Sequence, residues 1–361
     1  MDVNNITTEG IKYTGSKKIL IPKIINSIKD LDIRTTLDGF AGTTRVGQSL
    51  KLMNYSVDSN DVSDYSDIFA KCYIVNNQDG TDLLQKIDYL NSLPGIDGWY
   101  TKNYGGDVGP SNTVVSDDNK KKIWQRKNTM KLDQIRDEID IISDNDIEKS
   151  ILLTSLILSL DKVDSTIGHQ VSYLKNWSKR SFGTLKLELP KLIIGDKNYN
   201  SIKGDIMDID KEYDFIYLDP PYGTNNKKMP TSRIRYYSYY HLWTTIVRND
   251  KPELFGSSNR RLDGSDKNLK NLSDYERVDY EYVIQKIESL IYKLNTKYLM
   301  FSYNNKGTIS IDDLDRIFSK YKILSKEIIE YKENVMKNMK WENKWQYDNN
   351  KNYEYLYLIK K

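Results

Sequence analysis

One cysteine and two histidines in 361 residues set the first limits. Cys72 has no partner for an intramolecular disulfide and no second thiol with which to hold zinc, which points to a reducing, cytoplasmic setting. His169 and His241 are too few for a histidine-based metal site, so no metal is expected. Long apolar runs are missing as well: the longest stretch, 151–160, is broken by Thr154, Ser155 and Ser159 and is too short to cross a bilayer, so no membrane association is expected. The opening MDVNNITTEG lacks the basic-then-apolar order of an export signal. Phenylalanine is scarce, 7 against 28 tyrosines, a bias that fits an AT-rich genome and is read as composition rather than chemistry. Net charge is nearly absent, +3 from 54 basic and 51 acidic residues, so only the segregation of charge can point to a partner. What is present, 38% hydrophobic and 29% charged residues, suits a core domain carrying a sizeable insertion.

Along the chain, residues 10–73 read as turn, helix, strand, turn, helix, strand. Helical apolar spacing runs from Ile19 to Ile28, and β-prone stretches cover Arg34–Leu37 and Tyr55–Val57. Thr43 and Thr44 are candidate N-caps for a helix through Val46, Leu50 and Met53. From about Leu192 the same grammar resumes. Strands are expected at Tyr213–Leu218 and Lys297–Tyr303, a helix at Ser310–Tyr321, and a closing antiparallel hairpin from Ile323–Tyr331 and Tyr353–Ile359. Between them, 74–191 breaks the alternation, with a glycine-rich loop over Trp99–Gly106 and helices near Met130–Ile142 and Ile147–Val163. The division expected is therefore a core of 1–73 and 192–361 and a mostly helical insertion of 74–191. Alternating strands and helices imply an α/β fold with a largely parallel sheet, whose ligands gather at the strand carboxyl ends.

The sharpest chemical signal is Asp219-Pro220-Pro221-Tyr222, placed directly after the apolar run Phe215–Leu218. Two prolines fix two φ angles and remove two N–H donors, so the stretch offers the Asp219 carboxylate and backbone carbonyls as acceptors. Such a site suits a ligand that donates hydrogen bonds, and an exocyclic base amine with Tyr222 stacked on the ring fits it. The bland alternative is a proline-rich turn ending a strand. The second signal is Asp38-Gly-Phe40-Ala41-Gly42-Thr43-Thr44, where glycine would let backbone approach a cofactor beside a helix N-terminus. Asp61, 19 residues beyond Gly42, stands where α/β nucleotide sites place a ribose-binding carboxylate; a turn cap and a solvated acid are the alternatives. The third, Lys12-Tyr13-Thr-Gly15-Ser-Lys17, is a basic and aromatic turn suited to holding a carboxylate, or an ordinary exposed loop.

In this order these segments resemble the Dam-like class of DNA adenine methyltransferases, and Trp124–Arg136, Val163–Lys175 and Tyr240–Pro252 look like segments of its restriction-modification members. The resemblance implies a Rossmann-like, S-adenosylmethionine-dependent methyltransferase sheet with a helical target-recognition insertion. It implies transfer of a methyl group to N6 of an adenine flipped out of double-stranded DNA, with a cognate restriction endonuclease as a possible partner. By that resemblance Asp219, Pro220, Pro221 and Tyr222 are catalytic. Tyr13, Gly15 and Lys17 line the methionine end of the cofactor; Asp38, Phe40, Ala41, Gly42, Thr43 and Thr44 surround it; Asp61 takes the ribose and Asp205 the adenine. Thr44 departs from the pattern, which has a second glycine there.

Direct transfer to an amine needs positioning but neither metal nor covalent intermediate, whereas methylation of a cytosine carbon needs a nucleophilic thiolate. Cys72, within the apolar helical stretch Ile68–Ile74, reads as buried and structural. Charge is segregated in two blocks. Residues 120–131 hold six basic side chains and no acid; residues 227–270 hold ten basic against four acidic, directly after the Asp219 motif. Lys122, Arg126 and Lys127 from the first and Lys228, Arg233, Arg235 and Tyr236 from the second are the candidate DNA contacts. Cytosine-N4 or RNA methylation, and a silent DNA-binding subunit, are the alternative readings.

Overall fold

The computed structural model describes residues 3–171, 174–225, 235–265, 267–268, 270–331 and 352–361. In chain order the elements are helix α1 (Ile21–Ile28), strand β1 (Thr35–Asp38), α2 (Arg45–Leu52), β2 (Ser56–Asp61) and α3 (Asp64–Ala70). Then come α4 (Leu84–Ser92), α5 (Trp99–Tyr104), the two-residue strands β3 (Gly105–Gly106) and β4 (Trp124–Gln125), α6 (Arg126–Ile142) and α7 (Asp146–Lys162). The chain returns through β5 (Tyr199–Lys203), β6 (Tyr213–Leu218), α8 (Tyr236–Tyr239), α9 (His241–Arg248) and the short pair β7 (Leu254–Phe255) and β8 (Arg260–Arg261). It ends with α10 (Tyr280–Lys293), β9 (Thr296–Asn304), α11 (Ile311–Phe318), β10 (Lys322–Tyr331) and β11 (Asn352–Lys360).

The main sheet has the order β10-β11-β9-β6-β1-β2-β5. β1 pairs in parallel with β2 and β6, β2 with β5, and β6 with β9, while β11 runs antiparallel between β9 and β10. The expected closing hairpin thus forms, and its last strand is inserted inside the sheet. Period-2 side-chain alternation on β6 feeds two cores. Phe215 and Tyr217 face one with α1, α2, α3, α6, α7 and α9; Ile216 and Leu218 face the other with α10 and α11. Helix α1 buries Ile21, Ile24, Ile25 and Ile28, the spacing of one helical face.

The helical insertion and the segment after Tyr222 share the first core and pack on each other. Trp124 lies 6.2 Å from Trp243, the buried Arg136 of α6 donates to the carbonyls of Ile246 and Val247, and Tyr100 OH donates to Thr245 O at 3.1 Å. The stretch Trp99–Gly106, expected as a loop, forms α5 followed by β3. Asp133 of α6 accepts from the backbone N–H of Gly98, Tyr100 and Thr101, so the cap that starts this helix lies more than 30 residues away in sequence. Helix α2 begins as expected but is capped otherwise. Neither Thr43 nor Thr44 makes a side-chain cap; Asp38 reaches across and accepts from Gly47 N at 2.8 Å.

Candidate active site

At the carboxyl ends of β1, β2 and β6 a cavity of about 390 Å³ opens, within the range of small-molecule sites, roughly 300–1,000 Å³. Its walls include Tyr13, Gly15, Lys17, Asp38, Phe40, Ala41, Gly42, Thr43, Asp61, Asp205, Asp219, Pro221 and Tyr236, so segments far apart in sequence converge on one space. Each wall has a local cause. Gly15 has φ +82° and a Cβ there would stand 2.9 Å from the Tyr236 hydroxyl; Gly42 has φ +51° and a Cβ would meet the Tyr13 hydroxyl at 3.2 Å. Asp61 holds the glycine turn closed: its Oδ2 accepts from Gly42 N at 2.8 Å and its Oδ1 from Ser63 N at 2.8 Å. Burial raises the Asp61 pKa, with these N–H donors pulling the other way. Asp38 is 1% exposed and its pKa is pushed up to about 7, by burial first, against the Gly47 N–H.

Phe40 meets Tyr275 edge-on, centroids 5.4 Å apart, and together with Ile206 and Met207 they make an apolar end to the cavity. Asp205 stands beside this end and accepts from Met207 N at 2.9 Å. Tyr275 was not visible as a site residue in the sequence, since it comes from a turn between α9 and α10 without a motif.

The opposite end is polar and centred on Asp219. Lys17 is 5% exposed; its Nζ donates to Gly15 O and the Tyr222 hydroxyl, each at 2.9 Å, and is ion-paired with Asp219 Oδ2 at 2.7 Å and Glu354 Oε1 at 3.1 Å. The Tyr222 hydroxyl also reaches Asp219 Oδ1 and, at 2.5 Å, Glu354 Oε1. Burial raises the Asp219 pKa; Lys17 opposes this and Glu354 adds to it. Glu354 escaped the sequence reading because it sits on β11, 135 residues beyond Asp219 with no local pattern.

Several expected site residues stand elsewhere. Tyr222 is half-buried beside the cavity rather than on its wall: its hydroxyl meets Asp219 and Glu354 while its ring tilts against Tyr303 at 4.8 Å. Pro220 is buried behind the lining. Thr44 also lies behind it, with φ 58°, a left-handed conformation that costs a residue bearing a Cβ about 1–3 kcal/mol. Its hydroxyl donates to Thr43 O at 2.8 Å. Among the candidate DNA contacts, Lys122 is buried and donates to Lys102 O, and Arg235 is fully buried and donates to Asn268 O at 2.6 Å, so neither is placed to meet phosphate. Arg126 is exposed and paired with Asp97; Lys127 is exposed and donates to Phe182 O. Lys228 and Arg233 lie outside the described residues. Arg261 is buried between Asp250 and Asp263, so part of the second basic block is neutralised internally. Arg248 and Lys270 line the cavity, with Arg248 paired with Asp64 at 2.7 Å.

Cys72 is fully buried and burial pushes its thiol pKa up, the opposite of what a nucleophile needs. His169 and His241 are held neutral by burial, with pKa values lowered to about 4 and about 3. Since the unfolded state protonates His241 near 6.5 and the folded state does not, its contribution to stability is full above that pH and is lost as pH falls. Wild type is therefore expected to lose stability relative to His241→Gln by about 1.4 kcal/mol per pH unit between pH 6 and 4, read from paired denaturant titrations. A constant difference between the two proteins would contradict this assignment.

The order of the sheet, with one antiparallel strand inserted next to its edge, and a cavity at the ends of the first, second and fourth parallel strands are those of a Rossmann-like methyltransferase fold. The chain belongs to the D12 class N6 adenine-specific DNA methyltransferase family, whose model matches residues 13–300. It is 31% identical over 332 residues to modification methylase StsI of Streptococcus sanguinis, covering 87% of this chain and 47% of that protein. It is 29% identical to modification methylase LlaI of Lactococcus lactis subsp. lactis, over 90% of this chain and 51% of the relative. Type II methyltransferase M.NlaIII of Neisseria lactamica is 27% identical, over 97% of this chain and 99% of its own length. The chain thus spans about half the length of the first two relatives and nearly all of the third. Among the described residues no group of three or more potential ligands is placed to hold a metal, and no helix is long and apolar enough to cross a membrane.

Proposed function

We propose that the protein transfers a methyl group from S-adenosylmethionine to the N6 amine of an adenine flipped out of double-stranded DNA. The observation that carries this reading is the convergence of Asp219, Lys17 and the Gly42 turn on one cavity with an aromatic end and a polar end. The residues fit the cofactor in three parts. Phe40, Ile206, Met207 and Tyr275 would hold its adenine, with Asp205 at the edge; Asp61 has acceptor capacity for ribose hydroxyls; and Tyr13, Gly15 and Lys17 would line its methionine end. Bound there, S-adenosylmethionine supplies a methyl group on a sulfonium, which needs no metal or nucleophilic protein side chain.

The chain's own task is to present the amine. The Asp219 carboxylate accepts an N–H of the amine, which turns the nitrogen lone pair toward the cofactor and takes up the positive charge that develops on the amine. Tyr13 and Tyr236, centroids 5.6 Å apart at the cavity wall, provide the ring surface for an extruded base that Tyr222 does not. The proton lost after transfer passes to Asp219, whose raised pKa favours that acceptance. The relatives' description as modification methylases supports pairing with a restriction endonuclease that cuts the same site.

Sequencing that reports base modification, applied to DNA from cells expressing the protein, tests this reading: modified adenines at one recurrent short site are expected, and modified cytosines would overturn it. For the cofactor end, Tyr275→Ala is expected to weaken S-adenosylmethionine binding about tenfold in calorimetry, from lost stacking area and the lost edge contact with Phe40. Unchanged affinity would remove Tyr275 from the site.

A further inference from the structure

We propose that Glu354 is a positioning residue of the transfer site, which shares the Lys17 ammonium and the Tyr222 hydroxyl with Asp219 and so leaves the Asp219 carboxylate free enough to accept the amine. This rests on the adenine-methylating reading above. Glu354 lies outside the residues matched by the family model and in none of the motifs that carry the resemblance.

The geometry is that of one cation between two acids. Lys17 Nζ stands 2.7 Å from Asp219 and 3.1 Å from Glu354, and the side chains of Lys17, Glu354 and Asp219 are 5%, 3% and 17% exposed. In so dry a setting a single ammonium facing a single carboxylate would pair with it closely, neutralise it and hold it in one orientation. A second carboxylate divides the attraction. The Tyr222 hydroxyl lies between the same two acids, so its proton too is shared rather than committed to Asp219. Glu354 is held for this by its neighbours on β9: the Ser302 hydroxyl donates to Oε1 and Asn304 Nδ2 lies 3.5 Å from Oε2. The antiparallel register places Glu354 opposite Asn304 and Leu356 opposite Ser302, which puts the glutamate at the end of β9 nearest the cavity. The insertion of β11 inside the sheet therefore brings a carboxylate under Asp219 that neither parallel neighbour supplies.

The charged and titratable groups around Asp219, taken element by element, are Lys17 from the N-terminal turn, Asp38 from β1, Tyr217 from β6, Tyr222 from the motif itself, Tyr236 from α8 and Glu354 from β11. Glu354 is the group among them whose negative charge can be removed without touching the cavity wall.

The test compares wild type with the isosteric Glu354→Gln, using tritiated S-adenosylmethionine and plasmid DNA from a host without adenine methylation. Expected are a kcat at least about tenfold lower, KM values for cofactor and DNA within about twofold, and an acid limb of the pH profile moved to lower pH, because the like charge that raises Asp219 is gone. Calorimetric affinity for S-adenosylmethionine should be unchanged. A purely structural role would lower the melting temperature and leave the acid limb in place, and that result, or wild-type kcat, would overturn the proposal. If circular dichroism shows Glu354→Gln unfolded, Ser302→Ala, which frees Glu354 from its orienting hydroxyl, should lower kcat several-fold in a folded protein; unchanged kcat there overturns it. Absence of adenine methylation by wild type would overturn the functional reading itself, and this proposal with it, which distinguishes the two failures.

Discussion

Asp219→Ala is expected to lower methyl incorporation into DNA by about 10³-fold, the scale seen when one positioned acceptor or stabilising group is removed from a transition state. The substitution should act on the chemical step. Lys17 keeps Glu354, Tyr222 and the Gly15 carbonyl as partners, so its ammonium is not stranded, and the Phe40–Tyr275 end of the cavity is untouched. Cofactor affinity in calorimetry should therefore stay within about threefold of wild type, and the protein should melt within a few degrees of it. Asp219→Asn keeps the shape and one acceptor but loses the charge, and should fall between the two. Wild-type rates in Asp219→Ala would remove this residue from the mechanism.

Asp61→Ala has the second largest expected effect, and it acts at binding. The carboxylate holds Gly42 N and Ser63 N at once, one bond per oxygen. Its removal strands two backbone donors, at about 1–3 kcal/mol each, and relaxes the left-handed turn at Gly42 that shapes the cavity. It also removes the acceptor proposed for the ribose. S-adenosylmethionine affinity should fall about 100-fold or more by calorimetry. Asp61→Asn, which can accept through one oxygen only, should recover part of the loss. Binding unchanged in both variants would mean that the turn is held by other contacts and that the cofactor does not meet Asp61.

What the sequence made legible was local. Phe215–Leu218 is apolar on both faces because both faces of β6 are covered, and Asp219 follows at the strand end where the sheet delivers its side chains. The glycine turn and Asp61 were readable for the same reason, each marking the end of a short strand. The residues missed or misplaced depend on contacts that no window of sequence contains. Glu354 reaches the site through the pairing of β11 with β9, and Tyr275 through the packing of a turn on Phe40. Lys122 and Arg235 were counted as surface charge because a count of basic residues carries no side-chain direction; the fold turns both inward to backbone carbonyls. Tyr222, expected against a base, has its hydroxyl in a half-buried hydrogen-bond cluster with Lys17, Asp219 and Glu354. At Thr44, where the resembled pattern has glycine, the chain places a residue bearing a Cβ in a left-handed backbone.

Nucleoside analysis tests most directly whether this cavity methylates adenine N6 in DNA from S-adenosylmethionine. Purified protein is incubated with S-adenosylmethionine carrying a labelled methyl group and with DNA free of adenine methylation, and the DNA is digested to nucleosides and separated. The prediction is label in N6-methyl-2′-deoxyadenosine alone, absent when Asp219→Ala replaces wild type. Label in N4-methyl-2′-deoxycytidine, or equal label with wild type and Asp219→Ala, would contradict it.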